Sequence, residues 1–278
     1  MYHYCTHTAR TLILISPYVE DFFLVDYLEK GFKHRFLLDT IYLLTAAHLN
    51  HLHPCSEYNQ YVAHFSTLAI RGQRAELGQL AETHDPERME AVAMASSLLS
   101  IFSLTCDLDT PFSGLSSSMM SLFKGMSQVF AQLWPYRQDT RFKFLDHHIE
   151  MYEKTLPLGE EYIPDIERVF ELQKTNTNTY KHAIKRLASL TYVFMNDSQR
   201  SYRSFHLSSW IISLSPEFRQ LTDDLDPCAL VLLARYFYMI STDQSWFMGN
   251  YAYKHFLRVY EKIPPLWRPY IHLQSSES

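Results

Sequence analysis

GFKHRFLLDTIYLLTAAHLNHLHP, residues 31 to 54, decides the fold class. Between Phe36 and Leu52, apolar residues occupy nearly every side of the helix that this stretch would form. A helix that is apolar almost all round is typical of a buried one. Pro54 ends it, because proline has no N–H for the next helical hydrogen bond. The stretch therefore predicts a core helix.

The same kind of pattern recurs along the chain. Ser56 is expected to cap a second helix, and a third is expected from Pro86 to Leu104. Asp226 followed by Pro227 predicts the start of a further, almost wholly apolar helix, because Asp accepts orphan amide protons and Pro suits the first turn. Other helices are predicted over 118–134, 165–173, 178–195, 199–214, 216–222 and 246–262.

Composition supports a helical protein. Only 7 of the 278 residues are glycine, whereas parallel α/β folds and hairpin-rich β folds use glycine freely at turns. We therefore expect an all-α fold: a single large domain, residues 1–278, of stacked antiparallel helices around an apolar core with room for an internal hydrophobic cavity. Looser loops are predicted near 105–118 and 155–165, where Ser, Gly, Pro and Asp accumulate.

Charge and cysteine content exclude several functions. A formal net charge of −5 argues against binding nucleic acid through the overall field of the chain. Cys5, Cys55, Cys106 and Cys228 form no CxxC pair, and their scatter is typical of reduced, mostly buried thiols of an intracellular protein. The apolar runs are too short to span a bilayer, and the first residues do not resemble a signal peptide. We expect a nuclear or cytoplasmic protein without a membrane span.

Four stretches resemble one family, in the order in which that family has them. They are HRFLLDTIYLLTAAHL (34–49), YNQYVAHFSTLAI (58–70), DPCALVLLARYFYMI (226–240) and WFMGNYAYKHFLRVYEKIPPLWRPYI (246–271). Together they resemble the C-terminal regulatory domains of fungal binuclear-zinc-cluster transcription factors, in particular the sterol-uptake-control group. The resemblance implies an all-α regulatory domain that senses a hydrophobic, sterol-like metabolite and dimerises or pairs with a regulator.

Two departures from the family pattern qualify that resemblance. The chain starts at the domain itself, without the cysteine-rich DNA-binding module that precedes it in the family, so we expect no direct binding of nucleic acid. The chain would then be either a truncated regulator or a scaffold reused for another purpose. In addition, Asp39 stands where the family usually has His. A buried carboxylate is costly unless it is paired, so we expect Asp39 to pair with a nearby His or Arg.

Aromatic and methionine side chains near the end of the chain are the candidate ligand-binding residues. Such residues are most often plain core, but they equally suit the lining of a cavity for an apolar ligand. The candidates are Tyr236, Tyr238, Met239, Trp246, Phe247, Met248 and Tyr251.

The acidic run TDDLDP, residues 222 to 227, raises an alternative. Asp223, Asp224 and Asp226 resemble in composition the aspartate-rich runs that hold Mg²⁺ in prenyl-diphosphate enzymes, and magnesium prefers carboxylate oxygens. The alternative function is a lyase or cyclase of secondary metabolism that acts on a prenyl diphosphate or polyene. The second magnesium motif of such cyclases is absent from residues 196–204. Helix capping is the commoner use of Asp before a helix, so our interpretation favours a cap and no cofactor.

Histidines pose a similar choice. His48 and His51 lie three residues apart and could face one cation, with His53 just beyond the helix. No further ligand is placed by the local sequence. We interpret these imidazoles as hydrogen-bonded groups at a helix end, and the pair His147 and His148 in the same way.

Overall fold

The computed structural model describes residues 1–13, 21–80, 85–105, 118–172, 178–196, 203–242 and 245–271. Within these ranges every regular element is a helix, and no strand occurs. The prediction of an all-α fold is confirmed. Contacts group the described residues into two compact units. The first unit lies within Met1–Cys106 and Met119–Asp146, and the second within Asp107–Ser118 and His147–Ser278. The prediction of one domain over residues 1–278 stays a prediction.

Within its described residues, the first unit contains six α-helices. Short π-helical segments, Tyr4–Thr8 and Phe22–Asp26, precede α1 and α2, and two 3₁₀ segments, Trp134–Asp139 and Arg141–Phe144, follow α6. The α-helices are α1 (Ala9–Ile13), α2 (Tyr27–Lys33), α3 (Arg35–Leu52), α4 (Ser56–Leu80), α5 (Pro86–Ser103) and α6 (Ser118–Leu133).

Helices α3 and α4 form an antiparallel hairpin. Residues 53–55 connect them, and the side chain of Asn50 bridges the connection, accepting from the Cys55 amide and donating to Asn59. Gly72 lets the two helices approach closely, since a Cβ atom there would lie 2.6 Å from Cβ of Phe36. Helix α3 is buried on almost every side, as its sequence predicts.

Polar bonds fix α5 against the same hairpin. Nε2 of Gln73 donates to Oγ of Ser96 at 2.7 Å and to the carbonyl of Val92 at 3.0 Å. Asp85 caps α5 by accepting from the Glu87 amide. The apolar side chains that these three helices share include Leu43, Ala69 and Leu99, with Val62, Phe65 and Phe102 packed against them.

Asp39 is buried and ion-paired. Its Oδ1 lies 2.9 Å from Nη2 of Arg35, one turn earlier in α3, and accepts from Nε at 3.0 Å. The expected pairing is confirmed, and it is structural. Lys30 and Glu90 make a second buried pair at 2.7 Å, which joins α2 to α5.

The second unit contains the remaining α-helices. They are α7 (Leu145–Thr155), α8 (Ile163–Glu167), α9 (Asn178–Met195), α10 (Arg203–Ile212), α11 (Pro216–Asp223), α12 (Pro227–Ser241) and α13 (Gly249–Lys262), with 3₁₀ segments at Pro157–Tyr162, Arg168–Leu172 and Pro265–Tyr270.

Helix α12 forms the centre of the second unit. It contacts α9, α11, α13 and the last 3₁₀ segment, and Cys228 to Phe237 are all buried. The helix begins at Pro227 and is capped by Asp226, as predicted. Arg235, in the middle of this buried run, is paired with Asp165 at 2.7 Å.

Two segments differ from the sequence-based expectation. The stretch 155–165, expected to be a loose loop, is mostly a 3₁₀ segment followed by α8. Gly159 lets that 3₁₀ segment approach α9 closely, since a Cβ atom at position 159 would lie 2.5 Å from the carbonyl carbon of Ala188. Helix α13 begins at Gly249 rather than at 246, after a turn over 246–248. Most of the predicted loop 105–118 lies outside the described residues.

Candidate ligand-binding site

The candidate ligand-binding residues lie on α12, on α13 and on the turn between them. The structure does not bring all of them to one place. Tyr236 faces α10: its ring stacks on Trp210 with centroids 4.4 Å apart, and its hydroxyl donates to the carbonyl of Leu207. Met239 faces α9, where its sulfur accepts from Oγ1 of Thr191 at 3.6 Å. Both side chains are engaged in packing between helices.

The turn before α13 carries three more of the candidates. Trp246 is half-buried and its ring meets Phe247 edge to face at 5.6 Å. Phe247 and Met248 are buried. This turn places apolar side chains directly before the first residues of α13.

Tyr251 belongs to a buried ring cluster that the sequence analysis did not identify. Its ring lies 4.2 Å from that of His255, one turn further along α13. His255 also stacks on Phe237 of α12, with centroids 4.9 Å apart and planes 17° apart. The sequence signal was available, because Tyr251 and His255 are four residues apart on a helix whose buried side is apolar.

Among the described residues, neither ring nitrogen of His255 has a hydrogen-bond partner. The ring is 6% exposed, so bulk water does not supply those bonds. Burial, together with the nearby charge of Arg258, lowers the pKa of His255 from 6.5 to about 3, so the ring is neutral at physiological pH.

Tyr238 lies at the surface next to this cluster. Its side chain is 40% exposed and its ring lies 5.5 Å from Phe256. Tyr253 stacks on the same Phe256 and is 51% exposed, and Leu257 is 41% exposed. We call Tyr238, Tyr253, Phe256 and Leu257 the aromatic patch. Tyr238, Tyr253 and Leu257 are its exposed members, while Phe256 is 8% exposed and contacts both tyrosine rings.

The acidic run before α12 is built as a helix connection. Oδ1 of Asp226 accepts from the Ala229 amide at 2.9 Å and from the hydroxyl of Tyr180 at 2.8 Å. Asp224 is exposed and accepts from Gln220, and Asp223 is half-buried at the end of α11. Leu225, which lies between Asp224 and Asp226, adopts a positive φ of 57° and turns the chain from α11 into α12. Asp226 therefore acts as the expected cap.

Three histidines of the first unit, His3, His7 and His48, lie close together. Nδ1 of His48 lies 3.0 Å from Oγ1 of Thr8, and burial lowers the pKa of His48 to about 4. His3 stacks on His7 with centroids 4.8 Å apart and meets His48 at 5.2 Å. This partner of His48, Thr8, lies forty residues earlier in the sequence.

The other histidines are divided between surface and core. His51 and His53 are exposed. Of the pair His147 and His148, the first is exposed and the second is buried, with rings 6.0 Å apart. Across the part of the chain that the structure describes, no three His, Cys, Asp or Glu side chains are arranged to hold a metal ion.

The predicted cysteine pattern holds in part. Cys228 is buried, Cys5 is half-buried and Cys55 is exposed, and all three are free thiols. Cys106 lies outside the described residues. Among the described helices, none is both long enough and apolar enough to cross a bilayer.

Comparison of the chain with protein-family models, with curated proteins and with solved structures gives no match.

Proposed function

We propose that this chain is a regulatory helical protein that binds an apolar, sterol-like small molecule through α12 and α13. Binding is proposed to control a homodimer or a partner regulator in the nucleus or cytoplasm, without direct contact to nucleic acid. The resemblance of residues 226–240 and 246–271 to the end of fungal regulatory domains is the sequence argument. The structural argument rests on the α12–α13 hairpin.

The observation that carries the proposal is the continuity between the aromatic patch and the buried ring cluster. Phe237 and Tyr238 are consecutive on α12, as are His255 and Phe256 on α13, so each helix contributes one ring to the buried cluster and the next residue to the patch. Aromatic and aliphatic surface of this kind loses contact with water when an apolar molecule covers it, which favours binding. No charged side chain contributes to the patch as defined.

The geometry of the acidic run supports binding rather than magnesium-dependent cyclisation. Asp226 already accepts two hydrogen bonds through one oxygen, from Ala229 and Tyr180. A metal ion there would compete with the bonds that start α12. The proposal therefore assigns these carboxylates to the helix connection.

A fluorescence titration tests the proposal. Dehydroergosterol, a fluorescent sterol, is expected to bind the full chain saturably, and Tyr238→Ala is expected to weaken binding about tenfold because the patch loses a ring. Tyr61→Ala is the matched control, since Tyr61 is a similarly exposed tyrosine of α4, 43% exposed, and lies outside the aromatic patch. This variant is expected to bind like the unmodified chain.

An enzymatic assay distinguishes the alternative. The chain is incubated with farnesyl diphosphate and Mg²⁺, and hydrocarbon products are analysed by gas chromatography. We expect no turnover. Product formation that disappears in Asp223→Asn and Asp224→Asn would refute the regulatory proposal and establish the cyclase.

A further inference from the structure

His255 departs from the way in which other buried histidines of this chain are satisfied. His48 pairs with Thr8 at 3.0 Å. His206 lies 2.9 Å from Oγ1 of Thr155 and 3.5 Å from Oγ of Ser189. Both nitrogens of His255 are also buried, yet neither has a partner within the described part of the chain. The described structure therefore leaves one donor and one acceptor unsatisfied on the same ring.

This arrangement destabilises the protein without a ligand. A buried polar group left without its hydrogen bond costs about 1–3 kcal/mol. A phenylalanine would keep the stacking on Phe237 and the tilted contact with Tyr251 without that cost. The unpartnered imidazole therefore offers a hydrogen-bonding site to a further molecule.

The chemistry of the ring restricts the partner. A neutral imidazole offers one N–H donor and one lone-pair acceptor. A hydroxyl group can meet either of them, because it both donates and accepts. A carboxylate or phosphate fits poorly, since its transfer into this aromatic environment would cost its hydration and the ring supplies a single N–H.

We propose that His255 recognises an uncharged hydroxyl group on the apolar molecule that binds at α12 and α13. This inference rests on the proposed function and adds to it the polar group that the ligand must carry. The apolar body of the ligand covers the aromatic patch, and its hydroxyl reaches a ring nitrogen between Phe237 and Tyr251. Because both nitrogens are buried, the hydroxyl enters when side chains of α12 and α13 separate locally.

Competition binding tests the inference. Dehydroergosterol bound to the full chain is displaced either by cholesterol, which carries one hydroxyl, or by 5-cholestene, which is the same molecule without it. Cholesterol is expected to compete about tenfold better, the range of one hydrogen bond to a buried group. In His255→Phe, cholesterol and 5-cholestene are expected to compete equally well, because the affinity for cholesterol falls while the affinity for 5-cholestene is unchanged.

Phe237→Leu is the control variant. It alters the ring that stacks on His255 but removes no polar atom, so it is expected to weaken both competitors equally. If His255→Phe also weakened the binding of cholesterol and 5-cholestene by the same factor, His255 would have a packing role and the inference would be overturned. Equal competition by cholesterol and 5-cholestene in the unmodified chain would also overturn it, while the proposed function would stand.

Two further outcomes are decisive. If dehydroergosterol does not bind the unmodified chain at all, both the proposed function and this inference fail. If His255→Phe does not fold, nuclear magnetic resonance of the ¹⁵N-labelled histidine rings in the unmodified chain replaces it. One neutral ring is expected to shift with cholesterol and not with 5-cholestene, and the absence of such a difference overturns the inference.

Discussion

Nη1 of Arg235 lies 2.7 Å from Oδ2 of Asp165, which stands seventy residues earlier in the chain. The same guanidinium donates through Nε to the carbonyl of Tyr270 at 2.6 Å. Arg235 is 4% exposed, so these partners replace water around a full positive charge. One side chain of α12 thereby holds α8 and the last 3₁₀ segment of the second unit in place.

Removing Asp165 is expected to destabilise the second unit strongly. Asp165→Ala leaves the buried charge of Arg235 uncompensated, and losses of about 3–5 kcal/mol are usual in such cases. The side chain of Asp165 is 22% exposed, which places the expected loss near 3 kcal/mol. Urea unfolding measures it.

The double variant Asp165→Ala with Arg235→Met is the control for that prediction. Because it removes the buried charge together with its partner, it is expected to recover more than half of the lost free energy of unfolding. A double variant that is less stable than Asp165→Ala alone would show that Arg235 stabilises the unit mainly through Tyr270 and packing.

Two glycines of α4 are expected to respond in opposite directions to the same change. Gly72→Ala places a methyl group 2.6 Å from Cβ of Phe36, so α3 and α4 must separate, at a cost of about 1–3 kcal/mol. Gly78→Ala meets nothing within 4 Å and is expected to stabilise the helix by about 0.5–1 kcal/mol. Thermal unfolding of both variants checks the prediction, and shifts of the same sign would contradict it.

The buried His206 makes stability depend on pH. Burial, together with the nearby charge of Arg186, lowers its pKa from 6.5 to about 4. Between these values the unfolded chain binds a proton that the folded chain does not. Stability is therefore expected to fall as pH drops from 6.5 toward 4, by about 1.4 kcal/mol per pH unit from this residue.

His206→Gln isolates that contribution. The variant cannot titrate in this range, so the plot of unfolding free energy against pH is expected to be flatter by about 1.4 kcal/mol per pH unit between pH 4.5 and 6. His48 and His255 remain in both proteins and cancel in the comparison. Parallel curves for the two proteins would contradict the prediction.

Replacing Asp226 is expected to cost more stability than replacing Asp224, because their hydrogen bonds differ. Asp226→Ala removes the cap of α12 and the partner of Tyr180, so a loss of about 1–2 kcal/mol is expected in urea unfolding. Asp224→Ala, an exposed neighbour, is expected to change stability by less than about 0.5 kcal/mol. Asp226→Asn keeps an acceptor oxygen and is expected to lie between them. A large loss from Asp224→Ala would disprove the assignment of the cap.

Helix positions followed from local chemistry. Asp85 before Pro86, Ser215 before Pro216 and Asp226 before Pro227 each cap the helix that they precede. A proline at the first turn and an acceptor before it act within three residues, so the sequence alone predicts them. The predicted start of α13 was less accurate, because Trp246 to Met248 have helical composition but form a turn.

The candidate site was less predictable, because it depends on distant contacts. Tyr236 and Met239 are on the expected helix, yet Trp210 and Thr191 determine what they face. Arg235 was overlooked although a single charge within an apolar run implies a partner elsewhere. The identity of that partner, Asp165, follows only from the folded structure, which brings the carboxylate of α8 to Arg235.

Cys228, buried in the first turn of α12, gives the second unit an intrinsic chemical reporter. Burial raises the pKa of this thiol to about 12, so at neutral pH it is neither ionised nor reachable by an alkylating reagent. Exposed Cys55 reacts at once. The delay before iodoacetamide modifies Cys228, identified by peptide mass mapping, therefore times spontaneous openings around α12, and a ligand that holds α12 and α13 together lengthens it.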